Sequence, residues 1–148
     1  MLNTFPPGSY HATWLAPAFL EGVREERLFP LWRFYAMTGT RRGEALGLRW
    51  CDVDLRAAAT VSIVQARTPH GISTPKTERG VRLLDLDAET VKILKQWRRD
   101  QLQERMEWGE LWTDTGLVFT REDGHGSTAP RPAAKRRTAT ATPTGGRR

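Results

Sequence analysis

Apolar and polar positions change rhythm several times along the chain, and each change marks an element. Ala18, Phe19, Leu20 and Val23 give one apolar side to a first helix, predicted from Pro17 to Arg27, with proline tolerated at its start. Residues 28–37 carry Leu28, Phe29, Leu31, Trp32, Phe34, Tyr35 and Met37. Apolar residues on most faces predict a helix buried by several neighbours. Thr38-Gly39-Thr40 interrupts it, because glycine supplies an unusual backbone angle and threonine can cap the next helix. A short helix is then expected over 41–48, followed by a tight exit over 50–55. Thr60 to Gln65 alternates in β-branched residues and reads as a strand. After a loop with Pro69 and Gly71, two extended pieces, 73–77 and 80–86, read as a small hairpin. Asp87 is a good N-cap with Glu89 in the first turn, so a long helix is predicted from Ala88 to Trp108, ended by Gly109. Val91, Leu94, Leu102 and Met106 form its predicted core-facing stripe, flanked by Ile93, Trp97 and Trp108. Leu117-Val118-Phe119 is a short strand before a Glu122-Asp123-Gly124 turn.

The rhythm stops near residue 125. Residues 126–148 hold no apolar side chain larger than alanine, so a disordered, basic, low-complexity tail is predicted there. Residues 1–14 read as an irregular lead-in. The expected organisation is therefore one domain over 15–125. Its class is α+β, mostly α-helical with a small antiparallel β-sheet.

Composition sharpens this picture in three places. The single cysteine, Cys51, excludes an internal disulfide framework and points to a reducing compartment. No apolar run reaches the roughly 18–20 residues of a membrane span, and no secretory leader is recognisable, so the cytoplasm is the expected location. The net charge is +6, yet residues 1–120 hold 16 basic against 15 acidic residues, while residues 121–148 hold 7 against 2. The basic excess thus lies in the tail, outside the part expected to fold. Arginine outnumbers lysine 19 to 4, which fits phosphate recognition by the planar guanidinium and equally fits codon bias in a GC-rich genome.

One pattern is specific. Thr38-Gly39-Thr40-Arg41-Arg42-Gly43-Glu44-Ala45-Leu46-Gly47-Leu48-Arg49-Trp50-Cys51-Asp52-Val53-Asp54-Leu55 resembles the first catalytic box of the tyrosine recombinases, the phage integrase family. Pro75-Lys76-Thr77, Val81-Arg82-Leu83-Leu84-Asp85-Leu86, the long helix, Trp112 and Gly116-Leu117-Val118-Phe119 with Gly124 continue the resemblance in order. It covers about residues 15–125. It implies DNA breakage and rejoining through a 3′-phosphotyrosyl intermediate, with double-stranded DNA and other recombinase protomers as partners. It also implies no metal, no ATP and no small-molecule cofactor.

Residue by residue, the resemblance makes Arg41 the first phosphate-clamping arginine, able to give two parallel hydrogen bonds. On its own it would read as an exposed arginine at a helix start. Glu44 matches the acidic residue that orients Arg41 and its neighbours. Lys76 matches the hairpin lysine that protonates the leaving 5′-oxygen, against the plainer reading of an exposed turn lysine. Arg42, Arg79 and Arg82 are candidate DNA contacts. Asp52 and Asp54 read as turn and cap residues, and Trp50, Trp97 and Trp112 as core.

The family's second box, His-x-x-Arg, has no match: residues 11–14, 70–73 and 125–128 place Trp14, Ser73 and Thr128 three positions after their histidines. The only tyrosines, Tyr10 and Tyr35, precede Arg41, whereas the family's nucleophile follows it. No nucleophile is assigned. A frameshift or a premature stop near residue 125 would give such a tail. The sequence is thus read as a truncated recombinase, inactive alone. Two alternatives stand beside it: a non-catalytic DNA-binding or recombinase-interacting module, and a decayed gene product.

Overall fold

The structure is a computed structural model that describes residues 12–74 and 81–127, with side chains from residue 17. Four α-helices occur in the described residues: α1 (Ala12–Gly22), α2 (Phe29–Thr38), α3 (Arg42–Leu46) and α4 (Ala88–Trp108). Five short strands accompany them: β1 (Val53–Asp54), β2 (Thr60–Ile63), β3 (Ala66–Thr68), β4 (Gly71–Ser73) and β5 (Arg82–Asp85). Two antiparallel sheets result, one ordered β1-β2-β5 and one pairing β3 with β4. The fold is mixed helix and small antiparallel sheet, as the sequence pattern predicts.

The core forms where α2, α3, the β1-β2-β5 sheet and α4 meet. Leu31 and Phe34 of α2, Val61 of β2, Leu94 of α4 and Phe119 are fully buried. Removing such side chains from water contributes roughly 1.5–3 kcal/mol each. Phe34 and Phe119 pack ring to ring at 5.7 Å. In β2 the burial alternates, Val61 and Ile63 inward, Thr60 and Ser62 half-buried, which is the two-residue period of a half-covered strand.

The ends of α4 match their predicted positions. Asp87 accepts from the Thr90 N–H at 3.0 Å, and Gly109 ends the helix with its N–H on the Arg105 carbonyl. The buried face of α4 differs from the prediction. Leu102 is 52 % and Met106 76 % exposed, while Thr90, Leu94, Trp97 and Gln101 are buried. Spacings of four, three and four residues make an equally regular helical stripe. It wins because its polar members find partners inside. The Gln101 amide nitrogen donates to Thr120 Oγ1 at 2.7 Å, its oxygen accepts from Trp50 Nε1 at 2.7 Å, and Trp97 Nε1 donates to the Val118 carbonyl at 2.6 Å. A buried polar group that is fully hydrogen-bonded costs little.

Other expectations are corrected in the same way. α1 begins at Ala12, so Pro17 lies inside it instead of starting it. α2 is buried along Pro30, Leu31 and Phe34, with Met37 exposed, so it is covered on one face and not on most. The predicted hairpin of 73–77 with 80–86 does not form among the described residues. β5 pairs with β2 instead, Ile63 facing Arg82 and Val61 facing Leu84. The short hairpin is β3-β4, turned by Pro69-His70 with Gly71 at φ +123°. Leu117 to Phe119 makes one bridge, Leu117 to Arg49, rather than a regular strand. The lead-in up to residue 11, the hairpin tip at 75–80 and the tail from 128 lie outside the described residues.

Candidate functional site

Three short-range features place Arg41. Gly39 closes α2 in the left-handed conformation, φ +62°, its N–H on the Tyr35 carbonyl at 3.0 Å. A residue with a side chain is strained there. Thr38 Oγ1 donates to the Phe34 carbonyl at 2.6 Å and lies 3.1 Å from the Thr40 hydroxyl, which knits the turn. Arg41 is then the N-cap of α3, in extended conformation, and its backbone N–H donates to Glu44 Oε2 at 2.8 Å. A guanidinium has no acceptor atom, so this is the return half of a capping box without its forward half.

α3 is seated by contact too close for side chains. A Cβ on Gly43 would lie 2.6 Å from the Arg67 carbonyl oxygen, and one on Gly47 would lie 2.9 Å from the Arg67 nitrogen. The backbone of β3 therefore lies directly against the glycine face of α3. Gln65 adds a hydrogen bond from its side-chain nitrogen to the Gly47 carbonyl at 2.6 Å.

The result is a small charge cluster. The Glu44 side chain is only 12 % exposed, whereas that of Arg41 is 85 % exposed. Arg82 Nη2 donates to Glu44 Oε2 at 2.6 Å, while Arg41 Nη1 stands 3.8 Å from Glu44 Oε1. Arg82 reaches it from β5, 38 residues further along the chain. The strand period explains how: Arg82 and Leu84 face Ile63 and Val61, so they lie on the inward side of the sheet, and Leu83 lies outward at 67 % exposure. From sequence, Glu44 stands beside Arg41 but is not paired with Arg82. The alternation Arg82, Leu84, Leu86 carried that signal.

Arg42 is exposed, and its carbonyl accepts the Tyr35 hydroxyl at 3.2 Å. Burial pushes the Tyr35 phenol up to about 12, against a smaller lowering by the Arg42 charge. Lys76 and Arg79 lie outside the described residues, as does Tyr10. Asp52 pairs with Arg49 at 2.7 Å, and Asp54 accepts the N–H groups of Arg56, Ala57 and Ala58. These contacts, the Arg56 N–H foremost, hold the Asp54 carboxyl below the usual carboxylate range. Both act as turn residues, as expected. Among the described residues no three His, Cys, Asp or Glu side chains gather as metal ligands, and no helix is long and apolar enough to cross a membrane. Trp97 lies in the core; Trp50 and Trp112 are half-buried.

Known proteins are similar to this chain in sequence and fold. The chain is 29 % identical over 120 residues to a XerC-like tyrosine recombinase of Caldanaerobacter subterraneus subsp. tengcongensis, covering 71 % of this chain and 31 % of that one. It is 33 % identical over 94 residues to an integrase of Streptomyces ambofaciens, covering 60 % and 24 %. This chain is similar to tyrosine recombinases and integrases over part of their length. No family model matches it. Among solved structures, the Tn1549 transposon integrase in complex with transposon right end DNA superposes with a TM-score of 0.63 at 17 % identity, covering 86 % of this chain and 41 % of that one. XerA recombinase superposes with a TM-score of 0.55 at 19 % identity, covering 86 % and 39 %. The recombinase fold is thus shared, and the chain spans about a third of the length of the first of these relatives.

Proposed function

We propose that residues 15–125 form the first half of a tyrosine recombinase catalytic domain that grips duplex DNA without cutting it. Arg41 is the phosphate-binding residue. The observation that carries this reading is its geometry: the backbone is anchored by Glu44, and the guanidinium is directed to solvent, 3.8 Å from that carboxylate. A planar fork held this way can give two parallel hydrogen bonds to one phosphate. Lys76 holds the place of the proton donor to the leaving 5′-oxygen, Arg42 and Arg79 add phosphate contacts, and Glu44 orients Arg41. The tail from 126 adds sequence-independent attraction through its basic residues. The Tn1549 transposon integrase, solved in complex with transposon right end DNA, agrees with this partner.

The same residues leave these 148 without a nucleophile. Tyr35 lies in α2, bonded to a backbone carbonyl, with its phenol shifted up to about 12. A nucleophilic hydroxyl needs the opposite shift or an adjacent base. A cytoplasmic location follows from the DNA partner and the lone cysteine. The test incubates the chain with a nicked suicide duplex and separates products under denaturing conditions. The expected result is salt-dependent binding, weakened about tenfold by Arg41→Ala, with no covalent adduct. An adduct mapped to Tyr10 or Tyr35 would overturn the reading.

A further inference from the structure

Among the described residues two arginines stand within reach of one largely buried carboxylate, and only one of them holds it. A carboxylate taken out of water requires a cation or several N–H donors. Glu44 receives the Arg41 backbone N–H at 2.8 Å and the Arg82 guanidinium at 2.6 Å, both on Oε2. The Arg41 guanidinium at 3.8 Å from Oε1 is too far for a hydrogen bond. The donor on Arg82 comes from a strand held by its ladder with β2, so its position is set by the sheet. Arg41 begins a helix of only five residues, and its side chain is 85 % exposed.

We propose that Arg82 is a positioning residue: it saturates Glu44, and so keeps the Arg41 guanidinium out of that carboxylate's grip and open to a phosphate. The proposal rests on the phosphate-binding reading of Arg41 and gives Arg82 a different task from the direct DNA contact expected from sequence. With Arg82 absent, the cation among the described residues that still pairs with this carboxylate is Arg41, three residues away on the same helical turn. A change of rotamer closes the 3.8 Å gap. Arg41 is then spent internally, and a phosphate must compete with Glu44 for it. Arg82 acts on binding through Arg41 and needs no contact with DNA.

The test compares the full-length chain with Arg82→Gln, Glu44→Gln and the double variant Glu44→Gln/Arg82→Gln. Two readouts are taken: affinity for a short duplex, and the NMR resonance and solvent exchange of the Arg41 side-chain Nε–H without DNA. The amide introduced by Glu44→Gln can still accept the Arg41 backbone N–H, so this change removes the charge and keeps the cap. Arg82→Gln is expected to weaken the duplex about tenfold and to shift and slow the Arg41 Nε–H. The double variant has the wild-type net charge and no carboxylate to capture Arg41, so it is expected to bind the duplex several-fold more tightly than Arg82→Gln. A double variant as weak as Arg82→Gln assigns Arg82 to the DNA and overturns the proposal. So does an unmoved Arg41 Nε–H in Arg82→Gln. Should Arg82→Gln fail to fold, the double variant, which buries no unpaired carboxylate, still decides by its affinity. A wild-type chain that binds no duplex sinks the phosphate reading instead, and the Nε–H readout then decides the role of Arg82.

Discussion

Arg27 and Arg41 are the same residue type beside the same kind of partner, yet they do opposite things. Arg27 sits between α1 and α2 and is consumed on every side. Its Nε and Nη2 each donate to Glu104 at 2.6 Å, its Nη1 donates to the Thr120 carbonyl at 2.9 Å, and its guanidinium carbon lies 4.9 Å over the Trp97 ring. It ties the approach to α2, the middle of α4 and the 117–120 segment together. Arg41 has one weak ion pair and faces water. An arginine-rich composition therefore says little about ligand binding. What matters is whether the fold uses up the donors.

The largest expected effect tests the closed member of this comparison. The Arg27 and Glu104 side chains are 27 % and 18 % exposed, so truncating one strands the other in a poor dielectric. Arg27→Ala is expected to lower unfolding free energy by about 3 kcal/mol, read from the midpoint of urea unfolding. A loss under about 0.5 kcal/mol, the surface-pair level, would place Arg27 with Arg41 and break the contrast.

Arg33 supplies an intermediate case. It donates to Asp87 at 3.0 Å and to Thr90, on the cap of α4. Burial alone would raise the Asp87 carboxyl, but the Thr90 hydroxyl and N–H and the Arg33 guanidinium outweigh it and hold it below the usual range. A carboxylate lowered in the folded state stabilises above its unfolded value of about 3.9 and loses that contribution as pH falls through the folded value. The Asp87 side chain is 43 % exposed, so solvent screening keeps the effect well below that of Arg27. Melting temperatures of wild type and Asp87→Asn are expected to converge as pH drops below about 4. Parallel curves from about pH 7 to about pH 3, a span that brackets the unfolded value, would remove Asp87 from the cap's stability.

The smallest expected effect tests the open member. Arg41→Ala should leave the unfolding free energy within about 0.5 kcal/mol of wild type, while duplex affinity falls. A stability loss comparable to that of Arg27→Ala would mean that Arg41 serves the fold, and the proposed phosphate role would go with it.

Local rules made much of this molecule legible in its sequence. Asp87 and Gly109 bound α4 because capping is a matter of neighbouring backbone groups. Thr38-Gly39-Thr40 delivers Arg41 and places Glu44 one turn away for the same reason. Periodicity narrows the buried face of a helix to a few candidates, but α4 shows its limit. Two stripes had helical spacing, and the one with Thr90 and Gln101 was buried because Thr120 and Trp50 lay opposite to satisfy Gln101 and the helix's own cap, Asp87, satisfied Thr90. Strand pairing is likewise settled by partners far along the chain: β5 joins β2 because Leu84 and Arg82 then share the inward face with Val61 and Ile63.

The recombinase motif around Arg41, its order and its spacing belong to the sequence, since they depend on turn chemistry within a dozen residues. Which of Arg41 and Arg82 holds Glu44, and which therefore remains open, belongs to the tertiary structure. That outcome depends on the 2.6 Å contact between Glu44 and Arg82, 38 residues further along on a strand whose register with β2 brings it into reach, against 3.8 Å between Glu44 and Arg41 at the start of one helix.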